Sequence, residues 1–201
     1  GGKIIVIDPG HGGQDGGATA NDEEKTEEKT ITLEIAKMLR NYLEQSGAIV
    51  YLTRETDTDL ADAQLRGFSN RKSQDIRRRL QFIHDQEADL FISIHLNALP
   101  SKRWRGAQTF FYPKFSRNEQ LATAIQDELI YNLENTDRVP LQLNHIYLLK
   151  HAKVPGALVE AGFLSNDAER ELLKQRKYQQ QLAASIYKGI LRYTELPYLE
   201  D

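Results

Sequence analysis

The sequence predicts an α/β fold in a single domain, a largely parallel sheet with helices on both faces. Two observations carry this. Continuous apolar runs alternate along the chain with segments whose apolar residues recur at helical spacing, the order that builds parallel sheets. A chain of 201 residues, 40% hydrophobic and 27% charged, is long enough for one core that needs neither disulfide nor structural metal. The first run, Ile4-Ile5-Val6-Ile7, lies between Gly2 and Asp8-Pro9-Gly10 and reads as a strand buried on both faces. Similar runs recur at Ile49-Val50-Tyr51-Leu52, Leu90-Phe91-Ile92-Ser93-Ile94, Thr109-Phe110-Phe111-Tyr112 and Ala157-Leu158-Val159. Between them, Ile31, Ile35, Leu39, Tyr42 and Leu43 mark a helix that Gly47 closes. Ile76, Leu80 and Ile83 mark a second, and Leu121, Ala124, Ile125 and Leu129 a third. Leu182, Ile186, Ile190 and Tyr193 mark the last, which stops before Pro197. There is no internal repeat. Residues 1–201 read as one domain, with Gly1-Gly2 as either an artificial remnant or a truncated linker and 196–201 as a C-terminal tail. Two polar stretches, 14–29 and 54–74, interrupt the pattern, and loops of that length in a compact domain are commonly functional.

Composition removes several classes of function. The net charge of −3 is wrong for a protein that works by neutralising phosphate, so nucleic acid is not an expected partner. With no cysteine, thiol catalysis, thiolate zinc sites and disulfide scaffolds are excluded. No apolar stretch reaches the ~18 residues of a membrane span, so this chain is not expected to insert in a bilayer. Any natural export signal or anchor is expected to be absent from it.

The first strand ends in Asp8-Pro9-Gly10-His11-Gly12-Gly13. A phosphate-binding Gly-x-Gly-x-x-Gly would need glycine where Asp15 stands, and no Gly-Lys-Ser/Thr follows. The glycines therefore read as letting backbone pack closely around His11. A lone loop histidine is ordinarily a surface residue, but a second, His95, ends the strand from Leu90 to Ile94. Ligands in open α/β sheets bind outside the carboxyl ends of strands, where these two imidazoles can converge. The strand Ala157–Val159 likewise runs into Glu160 between apolar neighbours, and a carboxylate there is costly unless it is paired or used. Glu23, Glu24, Glu27 and Glu28 precede the first helix, and most of them read as solvated charges at a helix start. Two histidines and one carboxylate make a three-ligand zinc site with an open position, and a further glutamate makes a natural general base.

Gly10-His11-Gly12-Gly13, Glu28-Lys29-Thr30-Ile31-Thr32-Leu33, Ser93-Ile94-His95-Leu96-Asn97-Ala98 and Leu158-Val159-Glu160-Ala161-Gly162-Phe163-Leu164-Ser165-Asn166 together resemble the zinc-dependent N-acetylmuramoyl-L-alanine amidase family. The resemblance covers nearly the whole chain. It implies a twisted six-stranded sheet, and hydrolysis of the amide between the lactyl group of N-acetylmuramic acid and L-alanine in peptidoglycan. It implies one zinc ion on His11, Glu28 and His95, with Glu160 as the catalytic base, in an extracytoplasmic setting. The insert at 55–70, leading into Arg71-Lys72-Ser73-Gln74-Asp75-Ile76-Arg77, resembles the germination-specific, spore-cortex branch. There the amidase strips stem peptides so that a downstream deacetylase can complete the muramic-δ-lactam. Cell-division members carry an inhibitory helix before the catalytic glutamate, and residues 134–155 are too short and irregular for one.

The remaining features invite plainer readings. Arg77-Arg78-Arg79 reads as a solvated helix face, and otherwise as a contact for peptidoglycan carboxylates or an activating protein. Lys102-Arg103-Trp104-Arg105 holds the only tryptophan, and a sugar or peptide platform and ordinary packing both remain open for it. His84, His145 and His151 read as surface histidines, with the alternative that His145 or His151, which flank Ile146-Tyr147-Leu148-Leu149, reaches the cleft and binds substrate. The alternatives to an amidase are a zinc exopeptidase on free peptides and a non-catalytic wall-binding module, although a binding module has no need of all four site residues.

Overall fold

The computed structural model describes residues 2–201. Six strands form one sheet: β1 (Ile4–Pro9), β2 (Ile49–Leu52), β3 (Leu90–Asn97), β4 (Gln108–Phe111), β5 (Leu141–Gln142) and β6 (Gly156–Phe163). Their order is β2-β1-β3-β6-β4-β5. The β2, β1, β3 and β6 strands run parallel, while β4 pairs antiparallel with β6 and parallel with β5. The helices are α1 (Glu28–Gln45), α2 (Phe68–Asp85), α3 (Ser116–Leu133), α4 (Tyr147–His151), α5 (Asp167–Leu173) and α6 (Arg176–Glu195).

The apolar runs are continuous because both faces are covered. Ile5, Ile7, Leu90, Ile92, Ile94, Ala157 and Val159 pack with the apolar stripes of α1, α3 and α6. The alternate residues Val6, Phe91, Phe110 and Leu158 pack on the other face with Ile83 of α2 and Leu148 and Leu149 of α4. Successive side chains of a strand point to opposite faces, so a strand covered twice needs apolar residues at every position.

The structure corrects several boundaries. Glu160 does not stand at a strand end, because β6 continues through it to Phe163. Pairing with β3 on one side and β4 on the other, where His95 and Gln108 face Glu160, carries the strand onward. The polar stretch at 54–74 is not all loop, since α2 begins at Phe68. Arg71 holds Asp59, and Arg78 holds Asp62 and the Leu60 carbonyl, so the preceding insert is bound to that helix. The strand expected over 109–112 runs one residue earlier.

Candidate metal centre

Three elements meet beside the carboxyl ends of β1 and β3. His11 follows β1, Glu28 is the first residue of α1, and His95 lies on β3. One potential ligand atom from each lies within 4.8 Å of the others. The His11 Nε2 is 3.1 Å and the His95 Nδ1 3.3 Å from the same oxygen, Glu28 Oε2. The two rings are nearly perpendicular, with centroids 5.0 Å apart.

Glycine makes the approach possible. A Cβ on Gly10 would lie 2.5 Å from the His95 ring. Gly17, at φ +70°, would bring one to 2.6 Å from Glu28 Oε1 and 2.7 Å from the His11 ring, so both conformation and space require glycine there. The buried Glu28 carboxylate accepts from the Ala18 and Leu96 amides, one on each oxygen. The far nitrogen of each imidazole is also held: His11 Nδ1 lies 2.8 Å from Asp15 Oδ2, and His95 Nε2 lies 3.1 Å from Ser93 Oγ. Ser93 in turn donates to Asp8. With a cation bound, these contacts would keep the ring protons on the nitrogens facing away from Glu28 and turn the other two lone pairs toward the ion; without one, His11 Nε2 can itself carry a proton toward Glu28.

The pocket is organised around positive charge. Burial disfavours the imidazolium of His11, but hydrogen bonds to Asp15 and Glu28 outweigh it and raise its pKa to about 9. Burial also opposes ionisation of Glu28, yet the two histidines hold its carboxyl well below the usual range. A cation is what this anion and these lone pairs favour, and two imidazoles with one carboxylate are a fitting donor set for zinc. Glu160 faces His95 across the β3–β6 pair and accepts from the Asn97 side-chain Nδ2 at 2.8 Å. Burial pushes its carboxyl up, and the Glu28 charge adds to this against the pull of His95. The two glutamates of one cleft are thus driven in opposite directions, one to stay ionised and one to hold a proton readily.

The other acidic candidates lie elsewhere. Glu23 and Glu24 are exposed and Glu27 is partly so, and Glu24 pairs with Lys174. The solvated-face reading of the arginine run holds only for Arg77. Arg79 is 3% exposed and donates to Asp75, to Asp8 and to the Pro9 and His11 carbonyls. Asp8 lies 71 positions away in sequence, which is why a local charge run could not disclose the pairing. His145 was expected on the surface, and although exposed it lines the cleft beside Ile146 and Tyr147. His84 is half-buried and accepts from the Lys153 amide, whereas His151 is exposed and packs on Tyr147. Trp104, under the Arg103 guanidinium, lines a separate groove with residues 134–138. Asp15, Ser93 and Asn97 were not singled out for these contacts. Their signal was spacing, since Ser93 and Asn97 flank His95 at two residues and share its face of the strand.

A family model described as N-acetylmuramoyl-L-alanine amidase matches residues 5–192. The chain is 55% identical over 192 residues to the germination-specific N-acetylmuramoyl-L-alanine amidase of Bacillus subtilis (strain 168), covering 96% of this chain and 80% of that protein. It is 34% identical to the N-acetylmuramoyl-L-alanine amidase LytC of the same strain, covering 96% of this chain but 36% of that longer protein. Among solved structures, the CwlD amidase from Clostridioides difficile in complex with the GerS lipoprotein matches with a TM-score of 0.92 at 38% identity, covering 96% of this chain and 98% of that one.

Proposed function

Because the chain belongs to the N-acetylmuramoyl-L-alanine amidase family, we propose that it hydrolyses the amide between N-acetylmuramic acid and L-alanine of peptidoglycan stem peptides, with zinc held by His11, Glu28 and His95 and with Glu160 as general base. The observation that carries this is the convergence of those three side chains beside a partly buried Glu160 paired with His95 across the sheet. Bound zinc supplies Lewis acidity, acidifying water and polarising the scissile carbonyl. Asp15 and Ser93 hold the imidazoles in register. Glu160 takes the proton of the attacking water, with Asn97 holding one of its oxygens, and delivers that proton to the departing amine. Its raised affinity for a proton suits the carrier between these two steps.

The likeness to a germination-specific amidase supports action on spore cortex, outside the cytoplasm, where removal of stem peptides precedes a deacetylase in forming muramic-δ-lactam. The relative solved with a lipoprotein supports a protein partner for activation. Residues 1–201 are assigned to one catalytic unit with 196–201 as its tail. No helix among the described residues is long and apolar enough to cross a membrane.

The test is release of L-alanine-terminated peptides from purified peptidoglycan, read by mass spectrometry. Chelation is expected to abolish release and added zinc to restore it, with most secondary structure retained throughout, since a core of this size does not depend on one ion. Full release by protein shown metal-free by elemental analysis would refute the mechanism, and cleavage of plain peptides alone would make the protein an exopeptidase.

A further inference from the structure

We infer that Lys72 is a substrate-binding residue that takes a carboxylate of the stem peptide, the α-carboxylate of the γ-linked D-glutamate next to L-alanine. This rests on the amidase reading above and names how that site selects its substrate. The cleft, of about 360 Å³, runs from the three metal-site residues between α2 and the segment leading into α4, with Leu143, Ile146 and Tyr147 on the far side. Two cationic side chains of α2 line it, Lys72 and Arg79. Arg79 is committed, since Nε, Nη1 and Nη2 all donate to protein oxygens. Lys72 differs. Its side chain is 43% exposed, and its ammonium lies 3.7 Å from Asp15 Oδ2, beyond hydrogen-bond distance. Asp15 does not need it, because His11 Nδ1 and the Gly17 amide already occupy its two oxygens. Among the described residues the Lys72 ammonium makes no hydrogen bond, resting 3.7 Å from Asp15 Oδ2 and 5.9 Å from the centre of the Phe68 ring, and its three donors are open to the cleft.

The chemistry of the substrate decides what they meet. The glycan strand is neutral along its hydroxyl and N-acetyl groups, and the lactyl carboxyl is consumed in the scissile amide. Free carboxylates belong only to the peptide, and the first beyond L-alanine is that of the D-glutamyl residue. A cation beside the metal-site residues, facing an apolar wall, thus suits the peptide arm and not the sugar. A charge-assisted hydrogen bond at a half-exposed site changes affinity by about tenfold.

The experiment uses two muropeptides that differ only in whether the D-glutamyl α-carboxyl is free or amidated. For the unsubstituted protein, amidation is expected to raise KM about tenfold with little change in kcat. Lys72→Ala is expected to raise KM by a similar factor on the free acid and to be indifferent to amidation, while Lys72→Arg keeps the preference. Calorimetry with Glu160→Gln, alone and combined with Lys72→Ala, reads the same difference as binding of intact muropeptide. The proposal is overturned if the unsubstituted protein shows no preference, or if Lys72→Ala retains it. It is also overturned if Lys72→Ala lowers kcat equally on both substrates at constant KM, which would make the lysine a support for Asp15 and His11. Failure of the zinc-loaded, unsubstituted protein to bind or cleave either compound would refute the amidase reading itself, whereas binding without cleavage would point to the missing activating partner and leave the calorimetric comparison to decide on the lysine.

Discussion

Segments 8–32 and 141–147 each contribute residues to one cleft, Asp8, Gly10, His11, Asp15 and Glu28 from the first and Leu143, His145, Ile146 and Tyr147 from the second, and they are held in different ways. On the first side nearly every carbonyl near His11 is tied to a side chain. Pro9 accepts from Arg54 and Arg79, Gly10 from Thr32 and Arg54, His11 from Arg79, and Gly13 from Lys29. The insert closes the loop from outside, because Asp57 accepts from both the Gly13 amide and Lys29. On the second side, β5 is two residues long at the sheet edge, Asn144 and His145 are exposed, and α4 has five residues. Three side chains that must share one ion tolerate displacements well under an ångström, whereas a wall that receives a long, flexible peptide does not need that precision. On the proposed reading, the difference would set a closely tied metal wall against a loosely tied substrate wall.

The largest expected effect tests the division of labour on the rigid side. His95→Ala is expected to empty the site of zinc and abolish turnover, whereas Glu160→Gln keeps its shape and its zinc and loses on the order of 10²–10⁴-fold in turnover. Metal content by elemental analysis beside the peptide-release assay reads both. If Glu160→Gln lost the metal, Glu160 would be a ligand and the base would lie elsewhere.

The next effect concerns what stiffens that wall. Arg79 and Asp8 are buried together, and Arg79→Ala would leave Asp8 and Asp75 without their cation, at a cost of about 3–5 kcal/mol in urea denaturation. The same pair sets a pH dependence. Burial raises the Asp8 pKa, but Arg79, Ser93, His95 and Thr53 outweigh it and hold it below the ordinary value. A depressed carboxylate stabilises the fold above its unfolded pKa of about 4, and that stability is lost as pH falls through the lower folded value. Stability from pH 5 to pH 2 is therefore expected to fall more steeply in the unsubstituted protein than in Arg79→Ala. Parallel slopes would show that the arginine does not hold Asp8 ionised.

Much of the sheet was legible because burial on both faces leaves a local mark, an apolar residue at every position from Ile4 to Ile7 and from Leu90 to Ile92. What was not legible is held by distant partners. The β5 strand has two exposed residues and exists only by pairing with β4, and α4 is too short to show a helical period. Of the four glutamates at 23–28, the structure brings Glu28 to the two histidines. The burial of Ile31, Ile35 and Leu39 fixes the face of α1 from which it projects. Arg79 was misread because a charged residue in a polar stretch carries no local trace of the chain segment that will cover it, and His145, exposed as expected, carries no trace of the cleft it faces. Arg79 is decided by Asp8 on β1, and His145 by the path of the chain between β5 and α4.

The smallest effect is expected at His145, where the comparison is most easily broken. Its side chain lines the cleft but belongs to the loosely tied wall, and it is exposed. Truncating an exposed side chain that supports no buried group changes stability by about 0.5 kcal/mol or less, so His145→Ala is expected to match the unsubstituted protein in thermal unfolding. It is also expected to bind zinc normally, because it stands outside the cluster of His11, Glu28 and His95. What it can alter is the fit of the peptide, and a contact made equally in the bound and the reacting substrate moves KM and leaves kcat alone. A rise in KM of about two- to fivefold, the scale of one exposed polar contact, is the expected reading in steady-state hydrolysis of a soluble muropeptide. A fall in kcat of a hundredfold, or a loss of zinc, would place His145 in the machinery of the rigid wall, and the contrast between the two sides of the cleft would no longer hold.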